Sequence, residues 1–314
     1  MVTETKLDRF AKYSWFVVAF NLVVILWGVF LRASKSGDGC GQHWLTCHGE
    51  VIPSAPELKT IIEFSHRITS AIAFFAVLGL VIWAFRKFQK GDPIRKTAII
   101  SFFFIITEAA VGAGLVLTGN TADTLSAARP FWMAGHLINT FILLAFLTLT
   151  ARYASGGRPM VIGIATKYKA AIAVGIAAVF IVGISGSIAA LSHMLFPSGT
   201  LAEGMAKDFS PTSNILLRLR LLHPITAILT SVFLVFLTGW LAKESGNETG
   251  VKRWSDVLAI LVLVQIAFGS LTLYMLAPIV LQLGHLFLAD AIWISYVLMA
   301  ANFLSVQPVK SESP

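Results

Sequence analysis

Charge is scarce in this chain. Asp, Glu, Lys and Arg make up 13% of its 314 residues, against 56% hydrophobic residues, and the mean hydropathy is +0.79. A water-soluble domain carries roughly 25% charged residues, so the deficit identifies an integral membrane protein. Segments of alternating polar and apolar residues are also missing, which excludes a transmembrane barrel. The N-terminus has Lys6, Arg9 and Lys12 before a long apolar run. It shows neither a short apolar core nor a small-residue cleavage site, so no cleavable leader is expected. Cysteine is limited to Cys40 and Cys47. Covalent haem attachment needs Cys-x-x-Cys-His, and before Cys47-His48 the first cysteine's place is held by Trp44, so no c-type haem is expected.

Long apolar runs are abundant. Crossing a bilayer as a helix takes about 20 residues, and backbone groups in lipid must be satisfied within the segment. Eight such spans are predicted, near 15–33, 60–86, 96–118, 131–153, 168–192, 214–242, 254–275 and 279–304. The net charge of +8 comes from basic residues clustered in short loops, as at Arg86, Lys87, Lys90, Arg95 and Lys96. Such clusters are topology signals facing anionic lipid, not a nucleic-acid surface. They put both termini in the cytoplasm of a multi-pass cell-membrane protein, with loops 34–59 and 193–213 outside.

The chain also repeats weakly. HRITSAI at 66–72 resembles HPITAIL at 223–229, EAAVGAGLVL at 108–117 parallels QIAFGSLTLY at 265–274, and GHL occurs at 135–137 and 284–286. Four spans per half give the halves the same orientation. The expected architecture is all-α, eight transmembrane helices arranged as two parallel-repeat four-helix bundles, 1–155 and 156–314.

Of the seven histidines, His66, His136, His223 and His285 fall one each in the second, fourth, sixth and eighth spans. A lone intramembrane histidine is often just an interhelical hydrogen bond, but four at matched positions of a repeat point to ligation. The repeat pairs His66 with His136 and His223 with His285. Two imidazoles facing each other in a bundle make a bis-histidine haem site. Zinc is the lesser alternative, since no cysteine or second carboxylate clusters with either pair. Gly112, Gly114, Gly269 and Ser270 would let a flat ring approach the third and seventh spans, or serve ordinary close packing.

Cys40 and Cys47 share an outer loop, where an oxidising compartment lets a disulfide persist. The pair reads as a structural bridge, with redox exchange on a partner as the alternative. In IIEFSHRITS, residues 61–70, Glu63 and His66 lie three apart and share a helix face. Arg67 is expected to point elsewhere, toward a propionate or a helix neighbour. A buried structural Glu63–Arg67 pair is the alternative.

Glu63-x-x-His66-Arg67, the later His136, His223 and His285, the Cys-x6-Cys outer loop and eight spans in two halves resemble the haem A synthase family, bacterial type. The resemblance covers nearly the whole chain. It implies an oxidoreductase that converts the C8 methyl of haem O to the formyl of haem A for cytochrome oxidase. It further implies a permanent haem b on His223 and His285, substrate haem on His66 and His136, and Glu63 as the acid beside it. Haem O synthase and cytochrome oxidase assembly factors would be its partners. Two departures stand out: loop 193–213 lacks the second cysteine pair of many bacterial members, and Pro224 stands where the repeat would put a counterpart of Arg67. The rival readings are a dihaem cytochrome b exchanging electrons with quinone, and a transporter. The first needs haems stacked across the membrane, whereas these histidines share one level. The second usually breaks paired helices near the midplane, and no such paired Gly/Pro interruption is present.

Overall fold

A computed structural model describes residues 7–161 and 163–306. Among them the regular elements are ten helices: α1 (Arg9–Ala33), α2 (Leu58–Lys87), α3 (Pro93–Leu117), α4 (Arg129–Ala154), α5 (Thr166–Leu195), α6 (Leu201–Phe209), α7 (Ile215–Arg220), α8 (Leu222–Glu244), α9 (Thr249–Tyr274) and α10 (Ile279–Phe303). Taking α7 and α8 as one span, eight are long and apolar enough to cross a membrane.

The helices outrun the predicted spans where capping residues extend them. Asp8 accepts a hydrogen bond from the Ala11 amide at 2.8 Å, so α1 begins at Arg9. Asp92 caps α3 through Ile94 N, with Pro93 in the first turn. Glu248 accepts from Val251 N at 2.9 Å and starts α9. These added turns are polar, so hydropathy marks bilayer depth and not helix ends. The predicted sixth span is interrupted at Leu221. Pro224 has no N–H to offer the Arg220 carbonyl four residues back, and the helix restarts there. Loop 193–213 contains α6, tied down by an Arg220–Asp208 ion pair at 2.6 Å.

Helix α1 packs on α2 and α4, α2 on α3, and α3 on α4; α5 packs on α8, α8 on α9, and α9 on α10. Helix α4 meets α5 and α10, and α1 also meets α10. Two apolar clusters follow. One gathers Phe10, Val17, Val77, Leu80 and Leu147, and the other Leu144, Tyr168, Leu241, Leu258, Tyr296 and Phe303. Leu144 and Leu147 sit on adjoining faces of α4, which makes α4 the seam. Helices α10 and α4 accordingly bury the largest shares of their apolar windows, 61% and 44%.

Close packing between α5 and α10 has a specific test. A Cβ on Gly175 of α5 would fall 2.1 Å from the Tyr296 hydroxyl, which donates to the Ile172 carbonyl at 2.7 Å. Gly175→Ala is expected to cost about 1–3 kcal/mol through overpacking. Gly239→Ala on α8, where a Cβ meets nothing within 4 Å, should be neutral or mildly stabilising. Thermal melting of the two variants checks this; equal melting temperatures would contradict the packing.

Candidate functional site

His66, His136, His223 and His285 lie six to eight residues from the ends of their spans at Leu58, Arg129, Ile215 and Ile279, about 9–12 Å at 1.5 Å per residue. In alternating spans these ends share the face that carries the cysteine loop, called here the disulfide face. All four rings are therefore at one depth.

Three of the rings are seated against glycine. A Cβ on Gly28 of α1 would lie 3.0 Å from His66 Cε1, one on Gly186 of α5 would lie 2.9 Å from His223 Cε1, and one on Gly269 of α9 would lie 2.8 Å from His285 Cε1. Any larger residue would displace the imidazole. Of the two roles expected for Gly114, close packing is the one seen: a Cβ there would lie 2.5 Å from the Trp132 indole. Gly114 thus serves helix packing, and a Cβ on Gly112 would meet nothing within 4 Å.

His223 and His285 come together with ring centroids 6.2 Å apart and planes perpendicular. Ser185 of α5 lies 3.2 Å from His223 Nδ1 and 2.9 Å from Thr226 Oγ1. Gln265 Nε2 of α9 donates to the His285 carbonyl at 3.1 Å and sits 3.5 Å from His285 Nε2. His285 Nδ1 is buried without a hydrogen-bond partner among the described residues.

In the first half, His66 is within electrostatic reach of both His136 and Glu108. Glu108 of α3 was not singled out from sequence, although it opens the EAAVGAGLVL segment. Its Oε1 is 3.2 Å from His136 Nδ1, at ion-pair distance but out of line for a hydrogen bond. Thr140 Oγ1 donates to the same carboxylate, and Asn139 Nδ2 donates to Oε2 at 2.5 Å. The signal was legible: by the repeat, Glu108 matches Gln265, and each faces the histidine of the following span. This corrects the expectation that no second carboxylate joins a histidine pair, because α3 brings one from 28 residues earlier in the chain. Asp290 of α10 was also passed over; it is fully buried, and neither carboxylate oxygen has a hydrogen-bond partner among the described residues.

Glu63 is 3% exposed and fully engaged. Oε1 accepts from Arg67 Nη2 at 2.5 Å, and Oε2 accepts from the Cys40 amide at 2.9 Å. Arg67 Nη1 donates to the Thr46 carbonyl at 2.8 Å. Arg67 therefore does not point away from Glu63: four residues apart on α2, the two share a face and form an ion pair. Cys40 and Cys47 are joined as a disulfide. The loop's backbone lies on the first turn of α2, where Thr60 Oγ1 donates to the Gly39 carbonyl at 2.6 Å. A pocket of about 370 Å³ lined by Asp38, Gln42, Gly119 and Asp123 opens beside this loop; no histidine lines it.

Eight apolar helices carrying paired histidines at one depth, under a disulfide-closed loop, define a class: helical membrane proteins whose polar chemistry is held inside the bundle. Residues 11–297 match the COX15-CtaA family model, described as cytochrome oxidase assembly protein, and the chain belongs to this family. It is 43% identical over 297 residues to a Thermus thermophilus protein named "Protoheme IX farnesyltransferase", covering 95% of this chain and 49% of that protein. "Heme A synthase" of Halalkalibacterium halodurans is 38% identical over 126 residues, 40% of this chain and 42% of the relative. That of Shouchella clausii is 40% identical over 100 residues, 32% and 33% of the two chains. The chain spans about half the length, or less, of the curated relatives it matches.

Closure of the eight-residue ring from Cys40 to Cys47 should stabilise the loop by about 2–3 kcal/mol. Protein purified without reductant is expected to take up iodoacetamide at neither cysteine until dithiothreitol is added, as read by intact mass. Two thiols alkylated before reduction would contradict the bridge.

Proposed function

We propose that this chain is a haem A synthase, which oxidises the C8 methyl of haem O to the formyl of haem A, an oxidoreductase acting on a CH group. The observation that carries the reading is the set of four histidines at one depth, within a family of cytochrome oxidase assembly proteins. The partial matches to proteins named "Heme A synthase" support it. The relative named for farnesyl transfer is about twice as long as the matched region, so its unmatched half is free to carry that activity. Haem O is the substrate in this reading. Haem O synthase, which supplies it, and cytochrome oxidase assembly factors, which take the product, are the natural partners. The two halves, 1–155 and 156–314, act as a substrate half and a cofactor half in the plasma membrane, with both termini cytoplasmic.

His223 and His285 fit a resident haem b. Their donor set is two imidazoles with ring centroids 6.2 Å apart, and Gly186 and Gly269 let each ring seat against its neighbouring helix. When bound, haem b would supply one-electron redox chemistry to the reaction. The chain's contribution is orientation: Ser185 meets the His223 ring from α5, and Gln265 ties α9 to the His285 backbone carbonyl. In the first half, His66 and His136 would hold the substrate iron, and Glu108 with Asn139 and Thr140 orients His136.

Glu63 is the proposed acid–base group, one turn from His66 and shielded from water. Its carboxylate is held by Arg67 and Cys40 N, so a proton taken from substrate would arrive at a base already fixed in place. The same contacts favour a second reading, in which Glu63 only anchors the disulfide loop.

One experiment tests the haem b assignment, and a second decides between the two readings of Glu63. His223→Ala and His285→Ala are each expected to remove most haem b from the purified protein; retention of a normal low-spin spectrum in both would contradict the assignment. Glu63→Gln is expected to keep folded protein and haem b while conversion of supplied haem O to haem A collapses, measured by chromatography of extracted pigments. The anchoring reading instead gives poorly folded protein, since breaking a buried pair costs about 3–5 kcal/mol. Normal haem A yield from well-folded Glu63→Gln protein removes Glu63 from the chemistry.

A further inference from the structure

Two arginines at the disulfide face lack an adequate partner. Arg129 opens α4 and is 2% exposed. Its Nη1 donates to the Thr124 carbonyl at 2.6 Å, but Nε is buried with no hydrogen-bond partner among the described residues. Arg32 lies in the last turn of α1, close enough to Arg129 for the two guanidinium charges to repel. Asp123 is the acid within reach of Arg129, and it is already paired with Lys35 at 2.7 Å on the surface. Two adjacent cations with so little compensation are unfavourable unless an anion joins them.

Helical register shows where such an anion would sit. Arg129 precedes His136 by seven residues, two turns along one face of α4. Arg32 follows Gly28, the residue against the His66 ring, by four residues, one turn along the same face of α1. Both arginines therefore sit on the helix faces that carry the first-half imidazoles, about 5–11 Å nearer the disulfide face at 5.4 Å per turn. A porphyrin bound edge-on between the helices carries its two propionates on a single edge, at such a displacement from the iron. The second half has no such pair: Pro278 lies seven residues before His285, and Ala190 four after Gly186.

We propose that Arg32 and Arg129 form a dicarboxylate-binding site for the propionate edge of the tetrapyrrole taken by the first half. This rests on the reading of His66 and His136 as the substrate-haem ligands. Guanidinium forks suit carboxylates through paired charge-assisted hydrogen bonds. They set which edge of the ring faces the membrane surface.

The test uses the full chain in phosphatidylcholine nanodiscs, titrated with ferric protoporphyrin IX and with its dimethyl ester. Binding is read as Soret absorbance gained over the protein as isolated. The free acid is expected to bind about tenfold or more tighter than the ester, the scale of charge-assisted hydrogen bonds. Arg32→Gln and Arg129→Gln should each reduce acid binding toward the ester's, with Arg129→Lys intermediate and the ester unaffected throughout. Equal affinity of acid and ester in the unaltered protein, or an undiminished preference in both Gln variants, overturns the proposal. If Arg129→Gln does not fold, judged by its circular dichroism and as-isolated haem spectrum, Arg32→Gln and the acid–ester comparison still decide. His66→Ala and His136→Ala should weaken binding of both porphyrins. If they change neither, the substrate-haem reading of this half is what fails.

Discussion

A polar side chain inside the bilayer has no water to fall back on, so it must find its partner within the protein. Every structured feature of the site follows from that constraint. Glu63 takes Arg67 and the Cys40 amide, and in doing so pins the disulfide loop onto α2. Glu108 takes Asn139 and Thr140, and locks α3 against α4 beside His136. Ser185 joins α5 to α8 at His223, and Gln265 joins α9 to α10 at His285. Each of these groups makes at least one contact that crosses between elements, so satisfying the group and positioning the histidine are one event.

The same constraint explains how much was legible in the sequence. The spans could be read because lipid demands long apolar runs, and each of the eight contains the helix expected there. Their ends could not, because beyond the lipid a capped polar turn at Asp8, Asp92 or Glu248 extends the helix without any hydropathic signature. The histidines stood out as polar residues in apolar runs. Glu108 is as conspicuous by that criterion, yet its meaning depends on α3 lying against α4, which no local pattern reveals. Arg67 was misplaced by counting from His66; counted from Glu63 it is an i,i+4 partner, and its long side chain reaches back along the helix. The break at Leu221 was foreseeable from Pro224 but hidden by the unbroken apolar composition around it.

Where the repeat pairs positions of the two halves, the residues differ in a consistent direction. Glu108 stands opposite Gln265, Arg67 opposite Pro224, and Arg129, counted from its histidine, opposite Pro278. The first half is charged at each of these places and the second is neutral. A neutral histidine pair held by Ser185 and Gln265 suits a cofactor that stays. Fixed charges around His66 and His136 suit a guest that must be recognised, turned to one orientation and released, because charge-assisted contacts discriminate strongly between paired and unpaired partners.

Depth bears on what the two halves do for each other. Groups that carry electrons across a membrane are stacked along its normal, whereas these histidines lie at one level, close to the disulfide face. Two haems so placed would sit side by side, separated by the α4–α10 contact and not by the thickness of the bilayer. In the haem A synthase reading, α4 and α10 carry His136 and His285 and pack directly on each other, the two most buried spans of the protein. In that reading a rigid seam between these two helices would fix the lateral spacing of the haem sites whatever happens at the outer loops. An enzyme whose substrate enters and leaves one half needs that spacing to survive each exchange, and the apolar core centred on Leu144, Trp293 and Tyr296 supplies the rigidity.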